Sequence, residues 1–84
     1  MSTKRLVSGP RVKALVIGPH EFQGRYKQHD LDLLRDGFND NWYIRVRAPN
    51  GCYVYDGWWA CSRGKPVKAA VAEACRGAGL WTLD

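Results

Sequence analysis

The 84 residues contain no CxxC pair, no GxGxxG or GxxxxGK[ST] loop and no cluster of histidines. Each absence removes a class of chemistry. Without the glycine-rich loops, no motif cradles a nucleotide phosphate. His20 and His29 have no flanking ligands, and with the scattered cysteines they miss zinc-finger spacing, so no metal or cofactor is expected. Cys52, Cys61 and Cys75 are an odd, sparse set, which argues against a disulfide scaffold and for a reduced, cytoplasmic protein. Cys75 and Cys52 read as small buried hydrophobes and Cys61 as the more exposed thiol. The apolar run "ALVIG" is too short to span a membrane. Arg11 and Lys13 interrupt the stretch where a signal peptide carries its hydrophobic segment, so secretion is not expected. Asp30 and Asp32 are explained by helix capping, and nothing assembles nucleophile, base and oxyanion donors. The expectation is a non-catalytic protein.

What is present is aromatic bulk and positive charge. Four Trp, four Tyr and two Phe supply volume to a core that must be compact, because a chain this short buries only about 60–65% of its unfolded surface. Thirteen Lys and Arg stand against eight Asp and Glu, a net charge of +5. The excess is uneven. Lys4, Arg5, Arg11, Lys13, Arg25 and Lys27 face only Glu21 in residues 1–27, whereas residues 28–62 are net negative. Such a balance suits an acidic partner such as nucleic acid, or merely keeps a small protein soluble.

Residues 1–10 end in Ser8-Gly9-Pro10 and read as a flexible basic arm, leaving 11–84 as a single α+β domain. "RVKALVI" (11–17) reads as the first strand. "HEFQGRYKQ" has no clear period and reads as loop or a poor strand. "HDLDLLRDGFND" admits a short helix, with Asp30 as N-cap, Leu31, Leu34 and Phe38 at helical spacing and Gly37 as the stop. "GKPVKAAVAEACRGAGLW" is the clearest helix, with Pro66 at its first position and Gly77 at its C-terminal cap. Its stripe of Val67, Ala70, Val71, Ala74, Cys75 and Ala78 is made mostly of small side chains, which lets a sheet approach closely. Leu80, Trp81 and Leu83 would close the core. The expected fold is a small two-layer α+β domain of order β-α-β-β-α. It has an antiparallel sheet of about three strands with the C-terminal helix on one face.

"WYIRVRAPNGCYVYDGWW" (42–59) reads as a hairpin. Asn50-Gly51 alone would make a two-residue type I′ loop. Pro49 favours instead a three-residue loop, with Gly51 left-handed and a bulge beside it. That register pairs Ala48 with Cys52, Val46 with Val54, Ile44 with Asp56 and Trp42 with Trp58. It gathers Trp42, Ile44, Val46, Ala48, Cys52, Val54 and Trp58 toward the helix, with Asp56 near the open end. Tyr43, Arg45, Arg47, Tyr53, Tyr55 and Trp59 then share the opposite face. The two-residue loop would turn Tyr53, Tyr55 and Trp59 inward and Val54 and Trp58 outward beside the arginines. Tyr, Trp and Arg favour binding hot spots and also stack on bases. The first strand or the 20–40 segment could instead cover that face and make it a second small core.

The segment "SRGKPVKAAVAEA" (62–74) resembles the basic start of the final helix in double-stranded RNA-binding domains. That likeness implies phosphate contacts by Lys65 and Lys68. It covers thirteen residues, Pro66 and Val67 interrupt the basic cluster, and no matching first helix is visible. The hairpin also lacks the aromatic signature of RNA-recognition motifs. The chain resembles, in style rather than in motif, the small accessory proteins of phages and prophages. "YDGWW…GKPVKAAVAEACRGAGL" has their Gly/Asp-containing strand followed by an Ala-rich helix. The resemblance implies an anti-CRISPR-like inhibitor of host machinery, cytoplasmic in the bacterial host, and transfers no functional residue.

The leading expectation is therefore a protein that binds a host protein or ribonucleoprotein complex through Tyr43, Arg45, Arg47, Tyr53, Tyr55 and Trp59. One alternative is direct RNA or DNA binding by that face, with phosphate contacts from Lys4, Arg5, Arg11, Lys13, Lys65 and Lys68. Another is a structural homodimer joined through that face or a sheet edge.

Overall fold

The structure, a computed structural model, describes residues 10–81. Five strands come first: β1 Lys13–Ile17, β2 Glu21–Tyr26, β3 His29–Arg35, β4 Trp42–Arg47 and β5 Tyr53–Trp59. They form one antiparallel meander in chain order. A single helix, α1 Val67–Gly77, follows and packs on one face against β2, β3 and β4. The expected three-stranded β-α-β-β-α order is thus corrected to five strands and one helix. The basic arm assigned to residues 1–10 lies, apart from Pro10, outside the described residues, as does Leu83.

The missing helix and the extra strands have one cause. Residues 29–35 alternate, with Leu31 and Leu33 buried and Asp30, Asp32 and Leu34 turned away. An N-cap at Asp30 would contribute about 1 kcal/mol, whereas burying a leucine stabilises by about 1.5–3 kcal/mol. As a strand the segment also forms hydrogen-bonded ladders on both sides, with β2 and β4, which a helix would leave unmade. The alternation in β2 is similar, with Phe22 buried and Glu21, Gln23 and Arg25 exposed. β2 and β3 are joined by a two-residue turn, Lys27 (φ 49°) and Gln28 (φ 66°), closed by the Tyr26–His29 pair. The turn is held from outside: Lys27 Nζ donates to the Leu80 carbonyl at 2.7 Å, and His29 Nδ1–H donates to the Lys27 carbonyl at 2.8 Å.

The core is Phe22, Leu31, Leu33, Trp42, Ile44 and Val46 from the sheet against Ala70, Ala74 and Cys75 of α1. Burial pushes the Cys75 thiol up to about 11. Cys52, expected inside, is exposed, as is Cys61. Trp42 is the anchor of this core. Its backbone N–H donates to Ser62 Oγ and its indole N–H to the Lys65 carbonyl, both at 2.8 Å. The Arg35 guanidinium lies 4.8 Å from the Trp42 ring centre and donates to the same Lys65 carbonyl at 2.7 Å. One tryptophan and one arginine therefore fasten the β5–α1 connection to the sheet.

The helix begins at Val67, with Pro66 one position outside it as N-cap. Its other end also differs from expectation. Gly79 (φ 78°), not Gly77, takes the left-handed position. Gly79 N–H bonds the Arg76 carbonyl and Leu80 N–H the Cys75 carbonyl, the bond pair of a Schellman cap.

Candidate functional site: the outer sheet face

The β4–β5 turn forms as its proline suggests. Ala48 N–H bonds the Cys52 carbonyl at 2.7 Å, Gly51 N–H bonds the Ala48 carbonyl at 2.9 Å, and Gly51 has φ 91°. A second irregularity then intervenes. Arg47 pairs with Tyr53 but Val46 pairs with Tyr55, so Val54 is the extra residue of a bulge. Beyond it the strand is shifted by one. Trp42 faces Trp59, Ile44 faces Gly57 and Arg45 faces Asp56.

This shift corrects two members of the expected binding set. Tyr55 and Trp59 lie on the helix side, packed against the core. The Tyr55 hydroxyl donates to Glu73 Oε2 of α1 at 2.9 Å, and burial, then that bond, raises it to about 12. The physical reason for the shift is Asp56. Without the bulge its carboxylate would face inward opposite Ile44, where an unpaired buried charge costs on the order of several kcal/mol. The bulge turns Asp56 outward and puts Gly57 opposite Ile44. Trp58, expected inside, emerges on the outer face at 58% exposure.

Tyr43, Arg45, Arg47 and Tyr53 lie on the outer face, and no outer-face position from β1 to β5 is buried. The strand registers arrange this face in three cross-strand rows. The first runs Lys13, Arg25, Asp30, Arg47, Tyr53. The second runs Val16, Gln23, Asp32, Arg45, Asp56. The third runs Glu21, Leu34, Tyr43, Trp58. Contacts follow the rows. Asp30 holds Arg25 at 3.1 Å and Arg47 at 3.2 Å, and Asp32 holds Arg45 at 3.0 Å. Arg45 also lies 5.7 Å from the Tyr53 ring centre, and its guanidinium is held further charged, first by the Asp32 hydrogen bond. Tyr43 and Trp58 meet edge to face with ring centres 5.1 Å apart. The Tyr43 hydroxyl donates to Asp56, and that bond raises its pKa. A depression of about 360 Å³ opens over Arg45, Arg47, Tyr53 and Leu15.

Two features of this face escaped the sequence reading, the aspartates of β3 and Arg25, and Trp58 is outward only in the register of the two-residue loop. The D-L-D-L alternation in β3 was the available signal for the aspartates. The signal for the one-residue shift that exposes Trp58 was Asp56, the one charge that the unbroken register would turn inward. Among the described residues, the basic set expected to meet phosphates is not brought together. Lys4 and Arg5 lie outside the described residues. Lys13 belongs to the outer face, and Arg11 is exposed just before β1. Lys68 is exposed on α1, and Lys65 in the loop before it, on the helix side of the sheet. Among the described residues no helix is long and apolar enough to cross a membrane, and no three His, Cys, Asp or Glu side chains gather as metal ligands.

No protein-family model matches the chain, and no curated protein or solved structure matches it either.

Proposed function

We propose that the protein is a non-catalytic binding module that engages another macromolecule through the outer face of its sheet. The observation that carries this reading is the pair of half-buried Tyr43 and exposed Trp58 on the outer face of a five-stranded sheet, with Arg45 and Asp56 in the adjacent row. Exposed aromatic and arginine side chains on a rigid support lose little entropy on binding and dominate binding energy where they occur. The ionisable groups around them are matched in ion pairs rather than poised beside a nucleophile. The likeness to phage accessory proteins makes a host protein or ribonucleoprotein the favoured partner, in a bacterial cytoplasm. Two exposed free thiols, Cys52 and Cys61, suit a reducing compartment.

Charge favours a protein over direct nucleic-acid binding. The outer face carries four cations (Lys13, Arg25, Arg45, Arg47) and four carboxylates (Glu21, Asp30, Asp32, Asp56), a sum of zero. Phosphate binding draws on a net basic surface.

The test is capture of partners from a bacterial lysate by the intact chain and by an Arg45→Ala/Trp58→Ala variant whose fold is checked by circular dichroism. The expected result is a partner retained after nuclease treatment and lost by the variant. Retention of every partner by the folded variant would remove the outer face as the working surface.

A further inference from the structure

The outer face is neutral as a whole but polarised along the strands. Its first row holds three cations, Lys13, Arg25 and Arg47, around the single carboxylate of Asp30. Arg25 reaches Asp30 Oδ1 through Nε, and Arg47 reaches Oδ2 through one terminal nitrogen. Among the described residues, most of the donors of both guanidiniums are therefore free for another acceptor. A hollow of about 500 Å³ lies beside Arg25, Arg47 and the Pro49–Gly51 turn. The second row reverses the sign, with Asp32 and Asp56 around Arg45. The third is apolar toward β5, with Leu34, Tyr43 and Trp58.

We propose that this face docks a protein partner at two points. An acidic side chain of the partner seats in the hollow beside the Pro49–Gly51 turn, on the guanidinium donors of Arg25 and Arg47 that Asp30 does not use, and an apolar side chain seats on Tyr43 and Trp58. The proposal rests on the outer face being the working surface. Tyr43 and Arg47 are four residues apart on β4, so the two seats are about 13 Å apart. A carboxylate matches two guanidinium forks with charge-assisted bonds. A single acidic group uses the cationic row without approaching the acidic one. A nucleic-acid strand fits poorly, because it brings a charge about every 3.4 Å of its axis in a duplex and lays phosphates over Asp32 and Asp56.

The experiment titrates the intact, isotope-labelled chain with a blocked peptide bearing two glutamates, three serines and then Leu-Phe. A twin peptide with lysines for the glutamates and a ten-nucleotide oligouridine are the controls. Nuclear magnetic resonance reads the amides, the arginine Nε–H groups and the tryptophan indoles. The expected result is movement of the Arg25, Arg47 and Trp58 signals by the acidic peptide. Its Kd should lie at least tenfold below that of the lysine peptide. Arg47→Glu and Trp58→Ser, each with an unchanged pattern elsewhere, should each weaken the acidic peptide at least tenfold. Arg47→Glu should also narrow its advantage over the lysine peptide. Equal binding of both peptides, no movement at millimolar acidic peptide, or tighter oligouridine binding would each overturn the proposal. Those results leave the outer face standing if the Arg45→Ala/Trp58→Ala variant still loses its captured partner. Signals moving only on α1 would overturn both readings.

Discussion

Gly77 and Gly79 sit two positions apart, and each has its own reason to be glycine. Gly79 is left-handed (φ 78°) and closes the helix. Gly77 is the last helical residue, and a Cβ there would lie 2.3 Å from the Tyr55 ring. That ring is fixed by its hydroxyl bond to Glu73, which also pairs with Arg76 on the same helix. Tyr55 therefore has no cheap way to retreat. Gly77→Ala adds helix propensity worth up to about 1 kcal/mol but overpacks a fixed contact, at a cost of about 1–3 kcal/mol. The expected net effect is a lower urea midpoint with an unchanged slope. A paired Gly77→Ala/Tyr55→Leu variant should recover part of the loss. A midpoint at or above that of the parent would show that Tyr55 moves freely.

At the scale of elements, β4, its turn and α1 were legible because their chemistry is local. A proline before Asn-Gly sets the turn, and a stripe of small residues marks the helix face. β3 was misread because Leu31, Leu34 and Phe38 also satisfy helical spacing, and the decision rests on partners far away in sequence: Arg47 across the sheet, and the helix that buries Leu31 and Leu33. β2 reads from sequence as no more than a poor strand, for a different reason. Its turn, Lys27-Gln28, takes two left-handed residues without the Asn or Gly that announces such a loop. Four of the six residues expected to meet a partner lie on the expected face, and the two that do not, Tyr55 and Trp59, lie beyond the Val54 bulge. The Lys27-Gln28 turn carries a prediction. Gln28 sits at φ 66°, where a non-glycine residue is strained by about 1 kcal/mol. Gln28→Gly should raise thermal stability by about 0.5–1 kcal/mol while leaving the Tyr26–His29 pairing intact. A lower melting temperature would mean that the side chain contributes more than its backbone strain costs.

For the molecule as a whole, burial is graded across the sheet. β3 and β4 hold five of the nine core residues, whereas all five residues of β1 are exposed. Native-state hydrogen exchange should follow that gradient. Amides of β3, β4 and the buried side of α1 should report the global stability. Those of β1 should exchange orders of magnitude faster. Uniform protection from β1 to β5 would mean that the first strand is held by contacts its exposure does not suggest. The working surface proposed above draws mainly on β2 to β5, so it keeps its geometry even while β1 opens.

The register breaks once between Ala14 and Val16 on β1 and once at Val54 on β5, the two outermost strands. A growing fibril recruits new strands onto a straight edge whose amide and carbonyl groups repeat evenly. Among the described residues these two strands are the edges of the sheet, and each edge is kinked by an extra residue. Leu15, Ile17, Val54 and Trp58 can thus stand in water without offering a template for amyloid. Concentrated solutions should stay clear of thioflavin-positive aggregates as long as both kinks remain.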